Sequence, residues 1–196
     1  MNKLDAICIF CGSSEGNDNT IIEEAKRLGK IFAEQEIQLV YGGSKLGIMG
    51  HAAKSCLDHQ GKVIGVIPEF LKVKEVVHLG LTELHTTDDM HGRKLKMQEI
   101  SDGFIALPGG FGTLEELFEI ITWSQLGLHH KPIGLLNVDG FFDHLKLQLE
   151  EMVRKGFLKM ENFDLLITET NIDRLLEKMK HFETDKMSKW LKPERT

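Results

Sequence analysis

The stretch from Gly103 to Glu116, Gly-Phe-Ile-Ala-Leu-Pro-Gly-Gly-Phe-Gly-Thr-Leu-Glu-Glu, leaves few folds open to this chain. The apolar run Gly103 to Leu107 predicts a buried strand of a parallel sheet. Pro108 ends it, and glycines at 109, 110 and 112 let the backbone turn tightly and lie against a ligand without Cβ interference. An amphipathic helix follows, with Leu114, Leu117, Ile120, Ile121 and Ser124 at helical spacing. Thr113 and Glu116 have the T-x-x-E spacing of a capping box, which predicts the helix start at Thr113 and puts Glu115 and Glu116 in its first turn. A glycine-rich strand-to-helix turn aims free N–H groups and the positive end of a helix dipole at one place, an anion site that most often takes phosphate.

The turn matches neither common nucleotide fingerprint. A Walker loop requires Gly-Lys-Ser/Thr. A dinucleotide turn reads G-x-G-x-x-G and usually follows the first strand. A purely structural turn would also explain clustered glycines. Glu115-Glu116 is the more informative feature, because carboxylates there would repel a phosphate unless they face another part of the ligand.

Around this unit the chain alternates strand and helix. Ala6 to Phe10 reads as the first strand, followed by the loop Cys11-Gly-Ser-Ser14. Cys8 and Cys11 form a C-x-x-C, but their odd separation puts them on opposite faces of a strand, and no second pair completes a zinc site. Ser13 and Ser14 are placed either as ligand hydroxyls or as loop caps. Thr20 to Gln35 predicts a helix and Gln38 to Tyr41 a strand. Gly42-Gly-Ser-Lys-Leu-Gly-Ile-Met-Gly50 is a second glycine-rich strand-to-helix turn, with Gly43 the candidate for ligand contact, and its helix runs to about His59. Lys62 to Pro68 predicts a third strand.

Residues 69 to 84 are irregular and read as a mobile connection, a candidate lid, with Glu75 in it; solvent exposure is the default for such a loop carboxylate. Thr87 to Ser101 predicts a helix with Asp88 and Asp89 in its first turn. Arg93 and Lys94 come early in that helix, where cations oppose the dipole; a solvated face or a bound anion would account for them. Gly127 reads as a helix C-cap and Ile133 to Asn137 as a strand. His129 and His130 read as surface residues, and Trp123 as core or subunit interface. Gly140 to Lys155 predicts a helix, Asp164 to Thr168 a strand and Asn171 to Phe182 the last helix.

This order predicts a single-domain α/β fold over residues 1–182, a doubly wound, mostly parallel, Rossmann-like sheet, with a C-terminal tail at 183–196. The 196 residues can bury a substantial core, and 41% hydrophobic with 28% charged content is ordinary for a globular protein. A net charge of −6 argues against a nucleic-acid-coating or membrane-surface protein. No apolar run approaches the ~18 residues of a membrane helix, no signal-peptide pattern is visible, and three cysteines make no disulfide framework. Cytoplasmic location is the expectation. The glycine turns fall where such sheets bind ligands, so the residues point to a phosphate-bearing ligand with carboxylates and an arginine beside it.

Pro108-Gly-Gly-Phe-Gly-Thr-Leu-Glu-Glu116 resembles the PGGxGTxxE signature of the LOG (Lonely Guy) family, long misnamed "lysine decarboxylase". Met90-His-Gly-Arg-Lys94, Cys11-Gly-Ser-Ser14, the Gly42–Gly50 turn and Thr122-Trp-Ser-Gln-Leu-Gly127 fall in that family's order. The resemblance covers nearly the whole chain. It implies a Rossmann-like dimer that hydrolyses the N-glycosidic bond of cytokinin riboside 5′-monophosphates, and often of AMP, to free base and ribose 5-phosphate. It implies Arg93 and Glu116 as the catalytic pair, and Gly109, Gly110, Gly112 and Thr113 on the phosphate. Glu75, Lys94 and Thr122 match positions that line the nucleotide site, and Met90 would pack on the base. Ser14 and Gly43 join the substrate-binding set as the loop residues nearest these turns. Ser44 stands where members often carry a third glycine, and Gly92 where they often carry a polar side chain.

The chemistry is consistent with those roles. Breaking a ribosyl C–N bond develops positive charge on the sugar, which a carboxylate stabilises while activating water. Neither metal nor cofactor is expected, since no ligand set clusters, and no lysine stands in the context an aldimine-forming decarboxylase needs. The expected partners are a small-molecule nucleotide and a second copy of the chain, the latter on the apolar residues of the 114–126 helix. The alternative is a non-catalytic nucleotide or phosphorylated-cofactor carrier on the same fold, and Glu116 discriminates, because a pure binder gains nothing from a carboxylate near the ribose.

Overall fold

The computed structural model describes residues 2–72 and 77–183. Along β1 (Ala6–Phe10) the side chains alternate between two cores, as a strand buried on both faces requires. Ile7 and Ile9 enter one cluster with Leu28 and Phe32 of α1 (Asn19–Glu34) and Ala52 and Cys56 of α2 (Gly47–Asp58). Ala6, Cys8 and Phe10 enter the other, with Met97 of α4 (Met90–Glu99) and Leu117 and Ile120 of α5 (Phe111–Gln125). Cys8 and Cys11 therefore belong to opposite cores, and all three cysteines are free and buried.

The described strands form one sheet in the order β4-β3-β2-β1-β5-β6-β7, every pairing parallel. Its other strands are β2 (Gln38–Tyr41), β3 (Val63–Pro68), β4 (Glu83–Thr87), β5 (Gly103–Ala106), β6 (Ile133–Leu136) and β7 (Leu166–Glu169). The chain winds outward from β1 to β4, returns through α4, and continues from β5 on the other side of β1. The order reverses between β1 and β5, and the loops leaving their C-terminal ends part toward opposite faces. A doubly wound sheet binds its ligand in that crevice. Two backbone bonds hold the loops together at its floor: Leu107 N–H donates to Phe10 O at 2.9 Å and Gly12 N–H to Pro108 O at 3.1 Å.

Four expectations need correction. Residues 69–84 are not irregular throughout: α3 (Glu69–Lys72) opens the segment and β4 begins at Glu83. Glu83-Leu-His-Thr-Thr87 has no apolar run because β4 is the sheet edge, paired on one side and largely exposed. The predicted helix over Gly140 to Lys155 is a 3₁₀ turn, Val138–Gly140, followed by α6 (Asp143–Arg154), broken where Asp139 and Gly140 take positive φ. A short helix, α7 (Met160–Phe163), precedes β7, which lies two residues later than expected.

His129, expected on the surface, is buried: Nε2 bonds Ile120 O at 3.0 Å, and Nδ1 accepts the Lys131 N–H at 3.2 Å. Gly127, at φ 79°, follows the last residue of α5 as its left-handed terminator. The last helix, α8 (Ile172–Lys180), starts under the Asn171 side chain, which accepts from the Asp173 and Arg174 N–H groups. Glu75 and the residues from 184 onward lie outside the described residues.

Candidate active site

The start of α5 differs from the capping-box reading. The helix begins at Phe111 with Gly110 as N-cap, and no side chain caps it. Thr113 is the third helical residue, so Glu115 and Glu116 fall in the second turn and do not face the N-terminus. The reason is steric. Gly109 lies so close to the Thr113 hydroxyl and the Gly12 N–H that a Cβ there would overlap both, and this tight turn starts the helix two residues early. The first N–H groups of α5 are thus left without a side-chain partner, beside two glycines, Gly110 and Gly112, with open space where a Cβ would stand. That is the geometry of an anion site.

Arg93 reaches this region from α4, whose N-cap Asp89 accepts from Gly92 N–H at 2.7 Å. Its Nε donates to Val66 O at the end of β3 at 3.2 Å, and Nη1 stands 3.8 Å from Glu116 Oε1. Met90 Sδ lies 3.9 Å from the same Nη1. Both charged side chains are largely buried, 12% and 14% exposed. The guanidinium lies over Gly42, where a Cβ would overlap Nη2. Gly42 is therefore the seat of Arg93, a role the sequence reading missed. The signal available was the glycine following a strand end, directly after Tyr41.

Burial pushes the Glu116 carboxyl up to about 7; Arg93 and Lys94 act against the shift, and Glu115 and Glu119 add to it. At neutral pH Glu116 is divided between carboxylic acid and carboxylate, the condition a general acid or base requires. Lys94 is held by Glu115 at 2.6 Å and Glu119 at 3.0 Å. Burial opposes its charge, yet those two bonds outweigh it and raise the ammonium's proton affinity.

Proteins of known name are similar to this chain in sequence. A family model described as "Possible lysine decarboxylase" matches residues 49–179. A cytokinin riboside 5′-monophosphate phosphoribohydrolase of Arabidopsis thaliana is 43% identical over 181 residues, covering 92% of this chain and 85% of the relative. A "Probable cytokinin riboside 5′-monophosphate phosphoribohydrolase" of Oryza sativa subsp. japonica is also 43% identical, over 92% of this chain and 86% of its own. The chain belongs to the LOG family. Its fold is shared with a molybdenum cofactor binding protein from Rippkaea orientalis, with a TM-score of 0.69 and 23% identity over 91% of this chain and 97% of the other.

The remaining LOG-family positions fall in different places. Ser14 is exposed and, with Ser13, Gly109, Gly110, Ile48 and Phe141, lines a cavity of about 300 Å³ in the β1/β5 crevice. Gly43, at φ 78°, is buried beneath Ile67 and Leu84, and its carbonyl accepts from His78 N–H at 3.1 Å. Thr122 is exposed on the outer side of α5, its hydroxyl donating to Phe118 O at 2.7 Å. A larger cavity, about 620 Å³, lies outside α4, lined by His85, Asp88, His91, Leu95, Glu119 and Trp123; neither Arg93 nor Glu116 lines it. Among the described residues no group of three His, Cys, Asp or Glu side chains could hold a metal ion, and no helix is long and apolar enough to cross a membrane.

Proposed function

We propose that the protein hydrolyses the N-glycosidic bond of a nucleoside 5′-monophosphate, a cytokinin riboside 5′-monophosphate or AMP, releasing the free base and ribose 5-phosphate. The observation that carries this reading is the pairing of an uncapped glycine-rich helix start with a buried carboxyl that titrates near 7, three residues along the same helix from Thr113. The names of the 43% identical relatives support it.

The phosphate lies on the N–H groups of Gly110 to Thr113 and is balanced by the dipole of α5. Phosphate binding there fixes the ribose beside Glu116 and Arg93. As the C–N bond breaks, ionised Glu116 stabilises the positive charge growing on the ribose and takes a proton from the attacking water. Arg93 is held by Val66 O and by its place over Gly42, and directs its remaining donors to sugar or phosphate oxygens. Met90 packs against the base, and Glu75, by its resemblance to a family position, is assigned to the nucleotide site. Lys94 and Thr122 line the outer rim, and Ser14 and Gly43 support the loops. The active form is a homodimer, and the compartment is cytoplasmic, which suits three free thiols.

The test is release of free base from AMP and from isopentenyladenosine monophosphate by the purified protein, compared with the corresponding nucleosides. Contacts to the phosphate are used to position the ribose, so kcat/KM for the monophosphate exceeds that for the nucleoside by about a hundredfold or more. Equal values for AMP and adenosine would overturn the assignment of the α5 turn. Tight AMP binding with no base released would move the protein to the carrier class.

A further inference from the structure

Glu116 has two acidic neighbours on its own helix and a lysine facing them from α4. Lys94 Nζ lies 2.6 Å from Glu115 and 3.0 Å from Glu119, and no ion pair joins it to Glu116, although Glu116 sits between those two in sequence. Glu115 and Glu119 are one helical turn apart and form a single acceptor pair, with Glu116 beside Glu119 at i, i+3. Lys94 is the most buried of the three at 11% exposed, against 55% for Glu115 and 23% for Glu119. Phe10, Lys94, Glu116, Glu119 and Ile120 enclose a gap of about 10 Å³. That is the lower limit for one water, so Glu116 and Lys94 are packed together there with little solvent between them.

We propose that Glu119 is a positioning residue for Glu116: with Glu115 it holds the Lys94 ammonium away from the Glu116 carboxyl, so that Glu116 has Arg93 as its ion-pair partner and does not gain a second. The inference rests on the reading of Glu116 as the acid–base group of the proposed hydrolysis. The charged and titratable groups that act on Glu116 are Arg93 and Lys94 from α4 and Glu115 and Glu119 from α5, with the thiols of Cys8 in β1 and Cys11 in the loop after it near enough to feel its charge. Burial and Glu116 itself both keep the two thiols protonated, so they add no charge. Glu115 and Glu119 set two negative charges against the positive charges of Lys94 and Arg93; each carboxylate favours the protonated form of Glu116 and each cation opposes it.

Two substitutions then act in opposite directions. Glu119→Gln removes one of the two facing carboxylates and releases one anchor of Lys94, and both effects favour the carboxylate form of Glu116. Lys94→Met leaves two uncompensated carboxylates and favours the acid. The measurement is a ¹³C-detected carboxyl titration, with the Glu116 signal identified by its loss in Glu116→Gln, alongside the pH dependence of kcat/KM for AMP. The Glu116 midpoint falls by about one pH unit in Glu119→Gln and rises by a similar amount in Lys94→Met. Glu115→Gln, which alters the other anchor, lowers it too, and reads the same quantity should Lys94→Met fail to fold. An unmoved or raised midpoint in Glu119→Gln overturns the role of Glu119, as does a shift of the same sign in Lys94→Met. Hydrolysis retained by Glu116→Gln overturns the acid–base role of Glu116 on which this inference rests, and no base released by the wild type overturns the proposed function, so the failures are distinct.

Discussion

Glu116 carries a free-energy cost along with its chemistry. Burial raises the carboxyl from its ordinary value of 4.5 to about 7, so it binds a proton more tightly in the folded chain than in the unfolded one. The folded state therefore holds more protons between those two values, and this group's contribution to stability is full below about 4.5 and declines as pH rises through 7. Glu116→Gln keeps the shape and removes the titration. The variant is expected to match or exceed the wild-type melting temperature at pH 8, while kcat falls by roughly 10²–10⁴. A melting scan at pH 5 and pH 8 with an AMP assay checks both halves; retention of a third of wild-type kcat would return Glu116 to a structural role. Gly42→Ala probes the other partner. The new methyl group overlaps only the far end of the Arg93 side chain, which can swing aside. The variant is expected to fold normally and to lose about tenfold or more in kcat/KM through displacement of the guanidinium.

At the scale of elements, the α5–β6 connection is tied by one imidazole. His129 is 6% exposed, packs tilted against the Phe104 ring at 5.4 Å, donates from Nε2 to Ile120 O and accepts Lys131 N–H at Nδ1. That pattern needs the neutral ring, and burial lowers its proton affinity accordingly. A histidine with a depressed pKa stabilises the fold above its unfolded value of 6.5 and loses that stabilisation as pH falls toward the folded value. Protonation removes the Nδ1 acceptor, at a cost of about 1 kcal/mol. Wild-type melting temperature is therefore expected to drop on acidification below pH 6.5 more steeply than that of His129→Leu, as circular dichroism would show. Equal slopes would assign the acid sensitivity elsewhere.

This histidine also shows where the sequence stops informing. Its neighbour His130 is the same residue type in the same loop and is exposed, and nothing local separates the two. Strands with apolar cores, β1, β2, β3, β5 and β6, were legible because burial on both faces leaves continuous apolar runs. β4 was not, since an edge strand shows no such run. The α5 start was misplaced because Thr-x-x-Glu spacing is shared by a capping box and by a site motif, and the Gly109 close approach that decides between them is a tertiary contact. Arg93 and Glu116 were recognised by resemblance, whereas the Glu115–Lys94–Glu119 cluster needed the packing of α4 against α5.

At the scale of the molecule, α5 exposes one apolar stripe. Phe111, Phe118 and Leu126 recur at seven and eight residues along its outer side, 93%, 38% and 40% exposed, with Thr122 on the same line. Leu95 of α4 and Leu128 after α5 are also exposed, 50% and 58%. Side chains of this size exposed together mark an interaction surface. A second copy is the proposed occupant, bringing two sites to one interface, because the stripe starts at the phosphate turn. Each chain carries a net charge of −6, so two copies repel, and apolar burial must exceed that repulsion. Salt then separates the possible origins of association. An interface held by surface ion pairs weakens as salt screens them, whereas an apolar one between like-charged copies holds or tightens. At micromolar concentration the protein is expected to sediment at twice the 22.2 kDa chain mass in both 50 mM and 500 mM salt. Phe118→Glu with Leu126→Glu is expected to give the 22.2 kDa species while leaving the circular dichroism spectrum unchanged, since both residues lie outside the two cores. A wild-type protein that sediments as a monomer under both conditions would refute the dimer, and a dimer lost at high salt would place the interface on the charged surface instead.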